Sequence, residues 1–231
     1  MIIALNNKSN LTKQEFLQYN KKLSTISTKH KVILCPSSIN IPLFTATNIA
    51  LGAQNVSNND AGAHTGEINS KQLKSYHVKY CIVGHSERRE EQKITSKDTN
   101  LKIKQLLEED IVPILCVGET KEQRIHENYK SVIREEILTA IKGLDEDQVK
   151  KIIIAYEPIY SIGTGIIPTN EEIIEVFNII KKILPDNKIL YGGSANDENI
   201  DTLKEIEEID GYLLGGLSLK VDKLKVFIKK L

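Results

Sequence analysis

The sequence predicts an α/β fold in which eight parallel strands alternate with helices and close into a (β/α)8 barrel. Short β-branched runs alternate with longer amphipathic stretches along the whole chain, as repeated β-α units require. The chain has 231 residues, and a single α/β barrel occupies roughly 200–250. No Pro-, Gly- or Ser-rich break divides it. We therefore expect one domain over residues 1–231, with an open doubly wound sheet as the structural alternative.

The predicted strands share one pattern, a short aliphatic or β-branched run that suits a strand buried on both faces. The runs are Ile2–Leu5, Val32–Cys35, Ile49–Gln54, Tyr80–Val83, Val112–Val117, Ile152–Tyr156, Ile189–Tyr191 and Gly211–Leu214. In a parallel barrel the C-terminal ends of all strands open on the same face, where functional side chains collect. The residues that follow each run are therefore the candidates for a site.

Two of the segments between strands begin with a capping box, in which an N-cap side chain and a Glu three residues later each satisfy a backbone N–H. Thr12 with Glu15 fits this pattern, and so does Thr169 with Glu172. From Ile173 onward, apolar residues repeat at helical spacing. We expect helices to begin at both boxes.

Composition argues against several function classes. The 31 basic and 31 acidic residues are mixed along the chain, so no positive stripe is available for nucleic acid. Three cysteines, Cys35, Cys81 and Cys116, lie in or at the end of apolar runs and lack metal-ligand spacing, which indicates reduced thiols in a core. No run approaches the length of a membrane span, and because Met1–Leu5 is short for the apolar region of a signal peptide and lacks a basic segment before it, we expect no export. We expect a cytoplasmic protein without nucleic-acid or membrane partners.

The end of the sixth strand is the most informative segment. Glu157 directly follows the strand, where partial desolvation allows a carboxylate to act as a base. Pro158 sets the direction of the chain after it, and Gly163–Gly165 supplies backbone N–H groups that could close over an anion. Because a strand, a glutamate, a proline and a loop also occur together in ordinary connections, the segment alone does not establish a site.

The other strand ends add further polar groups. After the first strand come Asn6 and Lys8, and after the fourth comes His85. Lys8 offers a fixed cation and His85 a proton donor, although a solvated lysine and a hydrogen-bonded core histidine are the ordinary alternatives. Glycine-rich turns follow the seventh strand at Tyr191–Ser194 and the eighth at Gly215-Gly216. Two such turns, the second opening a helix, form a phosphate cradle. Together these groups suit proton transfer on a small phosphorylated carbonyl compound.

These motifs, from one end of the chain to the other, resemble those of the triosephosphate isomerase family. They are Asn6-Asn7-Lys8, Gly84–Arg89, Cys116–Glu119, Tyr156–Pro158, Ile162–Gly165, Tyr191–Ser194 and Gly215-Gly216. The resemblance implies a TIM barrel and an isomerase of glycolysis and gluconeogenesis. That enzyme interconverts dihydroxyacetone phosphate and D-glyceraldehyde 3-phosphate through an enediolate, with no cofactor or metal.

The resemblance also implies roles for individual residues. Glu157 would move protons between C1 and C2, His85 would act as a neutral electrophile, and Lys8 and Asn6 would polarise the substrate. The phosphate would be held by Gly163, Ser194, Gly215 and Gly216.

The segments Gln54–Val56 and Gly62–Glu67 resemble the family's third loop, which docks into a partner subunit. A homodimer is therefore implied. His64 lies within this loop, and we interpret it as an exposed residue without a catalytic role.

Three positions depart from the family's pattern. The Trp beside the catalytic Lys is Asn7, the Trp of the first lid hinge is Tyr160, and the Lys-x-Ala of the second hinge is Ile166–Pro168. None belongs to the expected chemistry, so we expect them to change lid motion and not the class of reaction.

Two other functions are weighed against this one. A sugar-phosphate epimerase on a similar barrel usually needs a metal or a second acid–base carboxylate, which we cannot locate in the sequence. A barrel kept only for binding would not need Asn6, Lys8, His85 and Glu157 together. A coupled isomerisation assay with and without chelator distinguishes the three.

Overall fold

The computed structural model describes residues 1–162 and 167–231. The strands are β1 (Ile2–Asn6), β2 (Lys31–Cys35), β3 (Ala50–Ala53), β4 (Tyr80–Val83), β5 (Val112–Val117), β6 (Ile153–Tyr156), β7 (Ile189–Tyr191) and β8 (Gly211–Leu214). Each pairs in parallel with its neighbours in chain order, and β8 pairs with β1. The predicted (β/α)8 barrel is confirmed, and the strand bounds agree to within one residue at each end.

Helices in the described residues surround the barrel. They are α1 (Lys13–Leu23), α2 (Ser70–Ser75), α3 (Ser86–Glu91), α4 (Ser96–Glu108), α5 (Lys121–Ile125), α6 (Tyr129–Ala140), α7 (Glu146–Lys150), α8 (Asn170–Ile183), α9 (Ile200–Leu203) and α10 (Val221–Lys230). Short 3-10 helices lie at Ser38–Leu43, Ile159–Ser161 and Gly216–Leu219. Among these helices, none combines the length and the apolar character needed to cross a bilayer.

Both predicted capping boxes are present. The side chain of Thr12 accepts a hydrogen bond from the backbone N–H of Glu15 at the start of α1, and Thr169 accepts one from Glu172 at the start of α8. Other described helices have boxes with N-caps at Asn69, Thr95, Thr120 and Asp145. Each cap stabilises its helix by about 1 kcal/mol. Six of the described helices thus begin at a capping box.

Apolar side chains fill two layers, one inside the barrel and one between the strands and the helices. The inner layer consists of Ala4, Ile33, Cys35, Tyr80, Ile82, Ile114, Cys116, Ile153, Ala155, Leu190 and Leu213. Successive strand residues point to opposite faces, so each strand feeds both layers and reads as a continuous apolar run. All the cysteines are free and buried, with Cys81 in the outer layer, as the sequence predicted.

The closure of the barrel depends on a close backbone approach at Gly211. This residue pairs with Ile2 across the seam between β8 and β1. A Cβ atom at Gly211 would overlap the carbonyl oxygen of Ile2. Backbone atoms cannot move aside as a flexible side chain would, so the position requires glycine.

We expect Gly211→Ala to lower the free energy of unfolding by about 1–3 kcal/mol, the usual cost of overpacking a core. Gly216→Ala is the control, because a Cβ there has no atom within 4 Å. Urea unfolding of both variants, followed by circular dichroism, measures the difference. Equal stability of the two variants would contradict the argument.

Candidate active site

A cavity of about 360 Å³ opens at the C-terminal ends of the strands. The predicted site residues that the structure describes all line it: Asn6, Lys8, His85, Glu157, Ser194, Gly215 and Gly216. Gly163 lies outside the described residues. The arrangement of parallel strands brings these groups together from opposite ends of the chain, as expected for a barrel of this kind.

Glu157 is the central carboxylate of the cavity. Its backbone N–H donates to the carbonyl of Val117 at 2.8 Å, which continues the pairing of β6 with β5 one residue beyond the strand. The side chain is 3% exposed. Its Oε2 accepts the backbone N–H of Ser86 at 3.1 Å, and its Oε1 lies 3.1 Å from Nε2 of His85. Both carboxylate oxygens are therefore held in a nearly dry environment.

The contacts of His85 determine its tautomer. This residue is the N-cap of α3, and its Nδ1 accepts the backbone N–H of Glu87 at 3.2 Å. A nitrogen that accepts a hydrogen bond carries no proton, so the proton of a neutral ring lies on Nε2, which faces Glu157. The fold thus presents a neutral imidazole with its N–H directed into the cavity.

Lys8 is held in a conformation that non-glycine residues rarely adopt. Its φ is 53°, in the left-handed region, which costs about 1–3 kcal/mol and persists only where the surroundings enforce it. Here the backbone N–H of Lys8 donates to Oδ1 of Asn6 at 3.0 Å, and its carbonyl accepts from Nε2 of Gln54 at 2.9 Å. Its Nζ lies 2.5 Å from Oε1 of Glu87. Lys8 is therefore a positioned cation and not a freely solvated lysine.

The glycine turn after β8 forms the opposite wall. Gly215 precedes the 3-10 helix that begins at Gly216, so the second predicted turn does open a helix. Behind it, Nδ2 of Asn7 donates to Oγ of Ser218 at 3.1 Å, and that hydroxyl donates to the carbonyl of Asn6 at 3.1 Å. These buried bonds tie the ends of β1 and β8 together. Backbone N–H groups at the start of such a turn favour an anion.

The turn after β7 contacts the segment that follows Glu157. Oγ of Ser194 donates to the carbonyl of Ser161 at 2.5 Å, and the backbone N–H of Ser194 donates to Oγ of Ser161 at 3.2 Å. The hydroxyl of Tyr191 is buried, and burial raises its pKa to about 12 against the opposing effect of the Ser161 side chain. Pro168 is buried and has no N–H to donate.

Several residues that line the cavity or contact its side chains were not identified as site residues from the sequence. Ser86 and Glu87 lie within a motif that was recognised, but their contacts to Glu157 and Lys8 become visible only in three dimensions. Leu213 supplies an apolar wall from β8, and Lys220 and Lys223 extend the cavity beyond the cradle. The sequence could have indicated Lys220 and Lys223 as candidate lining residues, because both follow the Gly215-Gly216 turn closely. In the described part of the chain, no group of three His, Cys, Asp or Glu residues could hold a metal.

Comparison with known proteins gives one consistent result. The family model for triosephosphate isomerase matches residues 1–231. A triosephosphate isomerase of Mycoplasmopsis pulmonis is 44% identical over 195 residues, which cover 82% of this chain and 77% of the relative. One of Clostridium botulinum strain Langeland is 37% identical over 242 residues, covering 98% of each chain. One of Mesomycoplasma hyorhinis is 40% identical over 229 residues, covering 95% and 91%.

Proposed function

Because the chain belongs to the triosephosphate isomerase family, we propose that the cavity around Glu157 is the active site of this isomerase. The protein interconverts dihydroxyacetone phosphate and D-glyceraldehyde 3-phosphate by proton transfer through an enediolate. The observation that carries the proposal is the contact of the buried Glu157 carboxylate with the N–H of a neutral His85. A base and a neutral acid on one small cavity are the groups that the reaction requires.

Glu157 removes the proton from the carbon next to the carbonyl group and returns it to the neighbouring carbon. The roles of a glutamate base and a neutral histidine are those known for the family. In this site, Nε2–H of His85 would leave Glu157 and donate to the substrate oxygen on which negative charge develops. A neutral imidazole can do this at either oxygen without giving up a full charge.

Lys8 and Asn6 act on the same oxygens. The Lys8 ammonium stabilises the negative charge of the enediolate, and it contributes most where water is excluded. Its pairing with Glu87 and the bond from its backbone to Asn6 support this assignment, since they orient the cation before substrate arrives. A group that is already oriented requires no reorganisation during the reaction.

Gly215, Gly216, Ser194 and Gly163 bind the phosphate. The exposed N–H groups at the start of the turn after β8 and the partial positive charge there support this role for Gly215 and Gly216. Ser194 joins the cradle to Ser161 and thus to the segment that follows the base. Phosphate binding is in this way linked mechanically to the placement of Glu157.

The protein functions as a homodimer in the cytoplasm, and residues 1–231 form one domain. Exposure of residues 59–67, in the loop after β3 that resembles the family's docking loop, supports the dimer. Ile39, in the 3-10 helix after β2, is 80% exposed, and a dimer contact there would remove its apolar surface from water. Closure of all eight described strands into one barrel supports the single domain, and one cooperative thermal transition would test it. Cell fractionation tests the location.

The proposed homodimer predicts a particle of twice the 26.0 kDa chain mass. Sedimentation velocity at micromolar concentration measures this mass. Ile39→Asp should shift the equilibrium toward the monomer, because it puts a charge at a face that the dimer would cover. A wild-type protein of single-chain mass would refute the dimer.

We expect Glu157→Asp to lower kcat about 100-fold, because the shorter side chain withdraws the carboxylate by ~1 Å and proton transfer tolerates little displacement. Steady-state kinetics in both directions measures the loss. Glu90→Asp on the exposed face of α3 is the matched control. A change in kcat of less than about fivefold would remove Glu157 from the role of base, since acid–base catalysis contributes ~10²–10⁴-fold.

The second lid hinge predicts unequal effects of two variants. In the family, the closed lid is held by bonds from the Ser and the Tyr of Tyr191–Ser194 to backbone N–H groups at the positions of Gly165 and Pro168. Gly165 lies outside the described residues, and Pro168 has no N–H. We expect Tyr191→Phe to change kcat/KM by less than about fivefold, because Pro168 has no N–H with which the tyrosine hydroxyl could form the family's hydrogen bond.

Ser194→Ala should be distinctly worse, because it removes the bond to Ser161 and disturbs the phosphate cradle. Measuring kcat/KM for both variants decides the point. If Tyr191→Phe is as damaging as Ser194→Ala, the tyrosine has found another donor and the argument from Pro168 is wrong.

A further inference from the structure

Behind the catalytic pair lies a second charged pair that the proposed mechanism does not use. Arg89 of α3 and Glu136 of α6 approach to 3.5 Å, and their side chains are only 17% and 16% exposed. Such a pair costs several kcal/mol of desolvation per ion unless further hydrogen bonds offset it. The contacts that these two side chains make are therefore informative.

The guanidinium of Arg89 holds the backbone that leads into His85. Its Nε donates to the carbonyl of Gly84 at 2.7 Å, and its Nη1 donates to Oγ of Ser96 at 3.0 Å. Gly84 immediately precedes His85 and has a φ of 69°, a conformation that L side chains rarely adopt. Arg89 thus fixes the unusual turn from which the imidazole projects.

The carboxylate of Glu136 holds the backbone that supports Glu157. Its Oε2 accepts the N–H of Gly118 at 3.1 Å. Gly118 lies so close to Glu157 that a Cβ atom there would overlap the Glu157 carbonyl oxygen. A shift of Gly118 would therefore be transmitted directly to the backbone of the base.

Arg89 also faces the base itself. Arg89, Gly118 and Glu157 line the same small cavity of about 10 Å³, together with Cys116 of β5. Glu136 does not line this cavity but interacts with the base: burial raises the pKa of the Glu136 carboxyl, Arg89 opposes that change, and the charge of Glu157 adds to it. Other titratable groups near Glu157 are His85, which contacts it, Lys8, which lines the same cavity, and Cys116, whose pKa is raised well above its usual value by burial.

We infer that Arg89 and Glu136 are positioning residues that fix the position of His85 relative to Glu157. The ion pair supports both catalytic groups. Arg89 binds the carbonyl of Gly84, directly before His85, and Glu136 binds the N–H of Gly118, which packs against the backbone of Glu157. The inference rests on the proposed roles of Glu157 and His85. It predicts that disrupting the pair lowers turnover more than substrate binding, since the phosphate cradle on β7 and β8 is untouched.

The first test compares Arg89→Met and Glu136→Gln with Asn187→Ala. Asn187 is also buried, and its Nδ2 donates to the carbonyls of Val149 and Ile152 at 2.7 Å, at the opposite end of β6 from the site. We expect each of the first two variants to lower kcat about 10- to 100-fold, as a displacement near 1 Å would, with KM within about threefold. Asn187→Ala should lose a similar amount of thermal stability without losing kcat.

The second test is the pH profile of kcat/KM, which a purely structural role would leave in place. Loss of the Arg89 cation leaves the cavity less positive and should move the acid limb to higher pH. Loss of the Glu136 anion should move it to lower pH. Titration of the substrate phosphate is common to all variants and cancels in the comparison. Arg89→Lys should keep the wild-type limb, because it keeps the charge, while kcat still falls.

These outcomes decide the inference. The inference would be overturned if kcat of Arg89→Met and Glu136→Gln stayed within threefold of wild type, or if Asn187→Ala lost as much kcat as they do. It would also be overturned if the acid limbs of Arg89→Met and Glu136→Gln stayed in place or moved in the same direction. If Arg89→Met does not fold, Arg89→Lys and Glu136→Gln carry the test. Failure of the proposed function would give a different result, because kcat of Glu157→Asp would then stay close to the wild-type value.

Discussion

The parallel pairing of β8 with β1 is the contact on which the site depends. It brings Asn6 and Lys8, at the start of the chain, beside Gly215 and Gly216, more than two hundred residues later. The buried bonds among Asn6, Asn7 and Ser218 seal this junction above the strands. Without closure, the cation and the phosphate cradle would lie at opposite edges of an open sheet. Closure in turn depends on the absence of a side chain at Gly211.

A second constraint is that every buried charge at this end of the barrel needs a partner. Glu157 has Ser86 and His85, and Glu136 has Arg89 and Gly118, while the partly exposed Lys8 is paired with Glu87. An unpaired buried charge would cost several kcal/mol, so these contacts permit ionised groups to stay in a nearly dry cavity. The same contacts orient the groups. Stability and pre-organisation therefore come from one set of hydrogen bonds.

The departures from the family's pattern have local structural consequences. Asn7, in place of a tryptophan, is buried and donates to both Tyr19 and Ser218. An amide thus links α1 to the turn after β8 by hydrogen bonds, where an indole would have relied more on packing. Pro168 removes a backbone donor while limiting the conformations of the second hinge. Neither change reaches the atoms proposed to react with substrate.

Local patterns in the sequence were sufficient to predict the strands, the caps of α1 and α8, and seven of the residues that line the cavity. Strand position depends on apolar runs that are buried on both faces, and strand order then places every strand end at one face. The roles of Ser86 and Glu87, the tautomer of His85 and the brace formed by Arg89 and Glu136 were decided only by the tertiary structure. They depend on distances between side chains far apart in the chain, such as the 3.1 Å between His85 and Glu157. Spacing along the sequence does not encode such distances, because they are set by how neighbouring β-α units pack.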